Sequence, residues 1–557
     1  MVLMIFSSPK RPMEPPLETS TMAIERWSPT QTTTRQEKAL LARCTRHKKL
    51  FAFLREHRHE LFNDGFLDEL AGMYRQTGAG KEPVRPGLMA MAMLLQGYDQ
   101  VSDAEAVERT IIDLRWQMVL GRLGEGEPAF SQGAFQEFRQ RMIRCDMDQR
   151  LLERTVALAR TTGAFDFRKL PRSLRVAMDS MPLEGAGRVE DTINLLAHAG
   201  RKVVDCAAEL LDWTAEQVCE EAGAPLLSAS SVKAALDRVW GHSDDRDAAV
   251  GKLIEELTAL EKWLNKRLPH AVARPPLDEH LATVHQIIDQ DLEPDPGGKG
   301  RKRIREGVAA DRRVSVEDKE MRHGRKSKSR RFNGYKRHIA IDLDTTLILA
   351  CAVAPANRPE EDAAADLEKD LRFLGRPIGS LHIDRGYINS ALANQVANDN
   401  GRIICRPWAS HNGKLFPKSL FQINVRDRTI TCPEGRMERF EFGTTVEFDA
   451  ELCDRCPRRA QCTDASPGHG RTVSIADNEA LQKRLRKLAQ TKAGRSQLRE
   501  RVAVEHALAH AGRRQGRRAR YRGVRANLWD WRRASTLTNL ETIHRRLTEL
   551  EGEAMAA

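Results

Sequence analysis

The chain has 557 residues, with 90 Lys and Arg against 78 Asp and Glu, a formal net charge of +12. That length exceeds one ordinary hydrophobic core, so several domains or one core with large insertions are expected, and the charge points to an acidic partner, because clustered cations release counterions as they neutralise phosphates. No stretch approaches the roughly 18 apolar residues of a membrane span and the start lacks a signal-peptide core, so the chain reads as cytoplasmic and free of membrane, and its ten cysteines as reduced thiols or metal ligands rather than a disulfide framework.

Residues 1–35 read as a disordered leader, rich in Pro and Thr around Met22, which is a candidate true start. Residues 36–165 read as a helical N-terminal domain. Within it Leu88, Met89, Met93, Leu94 and Leu95 form an apolar stretch that breaks at Gly97, and Ser102 with Glu105 three residues on matches a capping box. A helix after FSQGAF carries Phe135, Phe138 and Met142 at helical spacing while Arg139, Arg141 and Arg144 lie elsewhere on it. That pattern fits a DNA-reading helix and fits equally a small bundle with solvated arginines.

The apolar run Leu174 to Met178 reads as a buried strand ending at Asp179, and residues from about 190 to 290 follow with uninterrupted helical pattern. EPDPGGKGRKR marks a linker. YKRHIAIDLDTTLILACAVA gives a hairpin in which Asp342 and Asp344 fit the turn, where Asp accepts local backbone hydrogen bonds, so both read as structural. A helix from about Glu360 to Phe373 leads to a strand, Leu381 to Ile383, that delivers Asp384, and Gly386 lets the chain leave that strand without covering the carboxylate. Strand, hairpin, helix, strand is a mixed α/β order, in which strand ends form sites. The tail from Leu481 to about Leu550 reads as helical and strongly basic.

Asp179 and Asp384 end short strands, and Glu505 sits inside the helical stretch RVAVEHALAH. Two Asp and one Glu converging in so basic a chain would bind divalent metal beside a polyanion, which points to phosphodiester chemistry. His382 and His506 invite a general-base role, but metal activation removes the need for one; regular strand geometry puts His382 on the face of Asp384, and His506 points elsewhere on its helix. Arg322, Arg325, Lys326, Lys328, Arg330, Arg331, Lys336 and Arg337, interleaved with Phe332 and Tyr335, form a run dense enough for phosphate contact. A solvated loop is the alternative, and the position just ahead of the hairpin favours DNA. A second run, Arg513 to Arg525, takes the same role. Cys453-x-x-Cys456 and Cys462, with Cys432 upstream, form a dense cluster whose four thiolates could close a structural Zn²⁺ site, with buried free thiols as the alternative; Cys44, Cys145, Cys206, Cys219, Cys351 and Cys405 are scattered and read as packed.

Ala177-Met178-Asp179-Ser180, the block HGRKSKSRRFNGYKRHIAID, PANRPE from Pro355, HIDRGY, and Arg501-Val-Ala-Val-Glu505 occur in the order seen in DDE transposases of bacterial insertion sequences. Over roughly residues 25 to 550 the chain resembles that family, and more narrowly the insertion-sequence family numbered eleven eighty-two. The resemblance implies an α/β fold: an RNase H-like mixed-sheet catalytic core with a helical N-terminal domain, a helical insertion and a small cysteine-bearing insertion. The core would occupy 170–189 and 301–425, the helical insertion 190–300, the cysteine-bearing insertion 426–475 and a basic helical end of the core 476–550. It implies Asp179, Asp384 and Glu505 as ligands of Mg²⁺, with Mn²⁺ able to substitute and Asp179 bridging two ions. It also implies a transposase that binds the terminal inverted repeats of its element as double-stranded DNA, cleaves there, joins 3′-hydroxyls to target DNA, and works as a homo-oligomer. A metal-dependent nuclease without strand transfer, or a catalytically decayed DNA-binding regulator, are the alternatives. Arg501 stands at the family spacing before Glu505 and is expected at the DNA. The chain departs from the pattern at Leu498, where an aromatic is common, at Gly512 and Arg513, where a lysine is common, and at Met181, where a small hydroxyl residue is common.

Overall fold

The computed structural model describes residues 24–44, 49–74, 82–236, 243–295, 302–327, 329–408 and 410–556. These form two compact units, one up to residue 147 and one from residue 148 onward.

The first unit is helical. Its helix Pro86–Asp99 is buried from Pro86 to Gly97, which explains why LMAMAMLL lacks an amphipathic stripe: no side of the helix faces water. The expected capping box forms, with Ser102 Oγ accepting from Glu105 N at 3.2 Å and Ser102 N donating to Glu105 Oε2 at 2.9 Å. The helix Gln132–Arg144 buries Phe135, Phe138 and Met142 as its spacing predicts, but Arg139 is buried with them. The Arg139 guanidinium pairs with Asp103, in the first turn of the capped helix, and Gln96 Nε2 donates to the same carboxylate at 2.6 Å. Arg139 is therefore a helix-to-helix tie and not the DNA contact expected of it. Arg141 and Arg144 both reach Glu137 at 3.3 Å. Packing also starts earlier than a leader over 1–35 would allow: Trp27 is 4 % exposed and its Nε1 donates to Leu120 O at 3.0 Å. Residues 1–23, including Met22, lie outside the described residues.

The second unit is built on a mixed six-stranded sheet. Its strands are β1 (Leu174–Glu184), β2 (Arg322–Arg325), β3 (Arg331–Asp342), β4 (Ile348–Pro355), β5 (Ile378–His382) and β6 (Arg402–Ile404). β1 is central. It runs antiparallel to β3, from Val176 opposite Asp342 to Glu184 opposite Gly334, and parallel to β5, which in turn runs parallel to β6. β2 and β4 both pair antiparallel with β3, β2 with its first residues and β4 from Tyr335 onward. The β3–β4 connection is the predicted hairpin, and Asp342 Oδ2 accepts from Thr345 N and Oγ1 at 3.2 and 2.8 Å, the turn role expected of it.

Between β1 and β2 the described helices Thr192–Leu211, Ala215–Ala222, Ser243–Arg267 and Leu277–Asp291 pack around their own core of Leu195, Leu196, Val203, Leu253, Leu260 and Ile287. A separate core lets so long a segment interrupt the sheet without entering it. The linker after this segment lies largely outside the described residues, at 296–301. After β6, three short strands (Gln422–Asn424, Thr429–Thr431, Met437–Arg439) and a two-stranded ladder (Thr445–Glu447 with Thr472–Ser474) enclose a small core of Phe421, Ile430, Phe440, Val446, Phe448, Val473 and Ile475.

Two helices close one face of the sheet. Val502–Gln515 presents Val504, Leu508 and Ala511, spaced as one helical face, to Ala177, Leu183, Ile339 and Ile341, and Val524–Ala556 adds Trp531 and Ala534. No described helix is long and apolar enough to cross a membrane.

Candidate active site

The parallel pairing of β1 and β5 fixes the site. Its last register pair is Ala177 opposite His382, so two residues further along each chain come Asp179 and Asp384. Asp179 is still within β1, opposite Ile339 of β3, and is half-buried. Asp384 lies just past the end of β5, exposed, where it caps the 3₁₀ turn Arg385–Tyr387 and its Oδ1 accepts from Arg385 N at 2.7 Å. Glu505 stands in the first turn of the helix Val502–Gln515, one residue past the buried Val504, at the rim of the face that packs on β1.

Arg501, immediately before that helix, joins two of the three. Its Nη1 is 3.0 Å from Asp179 Oδ2 and its Nη2 donates to Glu505 Oε1 at 2.6 Å. Burial pushes the Asp179 carboxyl above the usual range, Arg501 opposes the rise, and the charge of Glu505 adds to it. Asp384 joins the same field from the neighbouring strand. The buried Tyr387 hydroxyl is raised well above its ordinary value by burial, then by Glu360, Asp179 and Asp384. The Cys405 thiol is pushed up to about 12 by burial and by Asp384, with Arg385 and Arg501 opposing. The Arg385 guanidinium lies 5.5 Å from the ring centre of Trp408, which is 51 % exposed.

Glu360 is a site residue that reasoning from the sequence passed over, although it ends the PANRPE run. It opens the 3₁₀ turn Glu360–Asp362 after β4, and its Oε1 accepts from Ser180 Oγ, next to Asp179, at 2.5 Å. His382 is buried, with Nε2 3.9 Å from Glu500 and its pKa lowered to about 4 by burial, so it stays neutral beneath the strand ends. His506 is exposed on its helix.

Among the described residues no group of three or more His, Cys, Asp or Glu side chains is arranged to hold a metal ion. The carboxylate donors nonetheless fit a divalent cation. Asp179 and Glu505 already share one positive partner, and Arg501 is that stand-in cation. At the other cluster, Cys432, Cys453, Cys456 and Cys462 line one cavity of about 350 Å³, together with Phe416, Phe448 and Arg471. Burial raises the Cys462 thiol, Arg471 opposes this, and the other three thiols add to it; Arg436 N donates to Cys432 Sγ at 3.3 Å. Soft thiol donors around one cavity match the ligand chemistry of zinc. Of the cysteines expected to be packed, Cys145 is exposed and the rest are buried.

The first basic run divides in two. Arg325, Lys326, Arg330 and Arg331 are exposed around the tip between β2 and β3, and Lys328 lies outside the described residues. Lys336 donates to Arg358 O at 2.7 Å, Arg322 pairs with Asp311 at 2.9 Å, and Arg337 is buried, stacked 4.9 Å from the centre of Trp531 and donating to Gln515 Oε1 at 2.7 Å. In the second run Arg513, Arg517, Arg518, Arg520 and Arg522 are exposed, and Arg517, Arg522 and the less exposed Arg525 pair with Glu184, Glu317 and Asp148.

Residues 431–544, which hold Arg501 and Glu505, match the family described as Transposase DDE domain. Residues 43–141 match the Transposase domain (DUF772). No curated protein and no solved structure matches the chain. The two matched segments, one in each compact unit, support a DDE-type transposase of an insertion sequence.

Proposed function

We propose that the protein binds the terminal inverted repeats of its own element, cleaves the DNA at their ends and joins the freed 3′-hydroxyls to target DNA. One relationship carries the reading: Asp179 on β1 and Asp384 just past the end of the adjacent parallel strand β5 each stand two residues beyond the register pair Ala177–His382, and Arg501 ties Asp179 to Glu505. The sheet order β4–β3–β1–β5–β6, antiparallel up to β1 and parallel beyond it, supports an RNase H-like core around them.

Asp179, Asp384 and Glu505 would hold Mg²⁺, or Mn²⁺ in its place. Divalent metal there supplies activation of the attacking oxygen and neutralisation of the leaving one. The chain's own residues do the rest. Arg501 neutralises the half-buried Asp179 until it is displaced, after which its guanidinium is free to meet a phosphate beside Glu505. The exposed tip carrying Arg325, Lys326, Arg330 and Arg331 offers phosphate contacts, and Arg513 adds one beyond Glu505. Cys432, Cys453, Cys456 and Cys462 would close a structural Zn²⁺ site on a module whose core is too small to be self-sufficient. Because two element ends must meet, the working form is a homo-oligomer on DNA.

The test is an incubation with Mg²⁺, labelled element ends and a target plasmid. New 3′-hydroxyls followed by their covalent joining to the target are expected. Cleavage without joining would make the protein a nuclease, and binding without cleavage a DNA-binding regulator.

A further inference from the structure

We infer that Glu360 is a positioning residue for the active site: its carboxylate ties the Asp179 strand to the Asp384 turn and so sets how the two aspartates face each other. The inference rests on the proposed function and extends it to a residue outside the triad.

Glu360 touches both sides. On the Asp179 side, Ser180 Oγ donates to Glu360 Oε1 at 2.5 Å, while Ser180 N donates to Asp179 Oδ1 at 2.8 Å, so one residue orients Asp179 and is itself held by Glu360. On the Asp384 side, the carboxylate lies against Gly386. A Cβ added at Gly386 would come 2.2 Å from Glu360 Oε2, so the carboxylate would have to move, and 3.2 Å from Glu360 Cβ, a tight contact. Gly386 belongs to the 3₁₀ turn that Asp384 caps, so its missing side chain is what lets the glutamate reach that turn. A hydrogen bond to one strand end and a close packing contact with the turn beyond the next make a brace across the gap between the two aspartates.

The brace has further support from its surroundings. Tyr387, in the same turn, is fully buried, and its hydroxyl is held by His338 Nδ1 at 2.6 Å; Glu360 is the largest of the charges acting on it. Lys336, whose Nζ donates to Arg358 O at 2.7 Å, is pushed below its usual range by burial, with Glu360 and then Asp362 opposing. Glu360 thus sits among groups from β1, β3 and the Asp384 turn, each held in turn by its own partners.

A brace acts through geometry, so the hydrogen-bond acceptor matters more than the charge. The experiment measures Mn²⁺ binding to the full chain by titration calorimetry, alongside Mn²⁺-supported end cleavage and thermal unfolding, for the native protein, Glu360→Gln, Glu360→Ala and Gly386→Ala. Glu360→Gln keeps an oxygen for Ser180 Oγ and should bind Mn²⁺ within about threefold of native, the difference a weakened hydrogen bond makes. Glu360→Ala and Gly386→Ala should each weaken Mn²⁺ binding about tenfold or more and lower cleavage in parallel at sub-saturating metal, with unfolding close to native. Glu360→Ala binding Mn²⁺ like the native chain would overturn the inference. So would Glu360→Gln failing as badly as Glu360→Ala, which would make the charge itself the active feature. If the native chain binds no Mn²⁺, the reading of the triad falls and this inference with it; native binding with unaltered variants overturns the brace alone.

Discussion

Met181 on β1 occupies the space a side chain on Gly512 would need: a Cβ at Gly512 would lie 2.8 Å from Met181 Sδ and 3.2 Å from its Cε. Two of the positions at which the sequence departs from the common transposase pattern, Met181 and Gly512, are therefore one feature. A larger residue on β1 is matched by an absent side chain on the helix that carries Glu505. Gly512→Lys should overpack this region and lower stability by about 1–3 kcal/mol, and adding Met181→Thr should recover most of that decrease. Urea unfolding of both variants checks this, and equal stability of Gly512→Lys and the native chain would show that the space is not filled.

Arg501 touches two of the proposed metal ligands at once, at 3.0 Å from Asp179 and 2.6 Å from Glu505. Removing it strands a half-buried carboxylate that burial already pushes toward protonation. Arg501→Ala should lower stability by about 1–3 kcal/mol at neutral pH. Saturating Mn²⁺ should restore more stability to this variant than it adds to the native chain, because no guanidinium has to be displaced first. Thermal unfolding with and without Mn²⁺ reads both effects.

Exposure separates the basic residues proposed to meet DNA from the buried arginine that holds the fold. Alanine at Arg325, Lys326, Arg330 and Arg331 together should weaken binding to all DNA sequences and flatten the salt dependence, by about 0.9 in the log–log slope for each phosphate no longer neutralised. Arg139→Ala should leave that slope unchanged and instead destabilise the helical unit by about 3 kcal/mol, since it breaks a buried ion pair with Asp103. Fluorescence anisotropy across a salt series and unfolding curves distinguish the two classes.

For the cysteine module, mass spectrometry after exhaustive dialysis should find one zinc per chain, absent from Cys453→Ser with Cys456→Ser. Stripping it should loosen the small core of Phe421, Ile430 and Val473, seen as faster amide exchange there. A metal-free native protein would contradict the site.

Much of the core was legible in the sequence because its signals are local. The apolar run before Asp179, the Asp-Thr-Thr turn, the Ser102 cap and the helical stretch around Glu505 each follow from neighbours within a few residues. Relationships across the fold were not legible. Arg139 reads as an exposed arginine until Asp103 is seen beside it, and Arg337 reads as one of a basic run until Trp531 is seen under it. Glu360 lies 180 positions from Ser180 in the chain, and only the sheet brings them together. His382 shares a strand with the site, yet it is buried, with its pKa lowered to about 4 by that burial and Glu500, 118 positions along the chain, 3.9 Å from its Nε2.

On the proposed function, Asp179, Asp384 and Glu505 act as one metal-dependent site. The most direct measurement is cleavage of a labelled terminal repeat in Mg²⁺ by the native protein and by Asp179→Asn, Asp384→Asn and Glu505→Gln, with DNA binding measured in parallel. Each variant should bind the repeat as the native protein does and cleave it at least about a thousandfold more slowly, as expected when one carboxylate of a metal site is neutralised. Cleavage by Asp384→Asn at the native rate would contradict the claim.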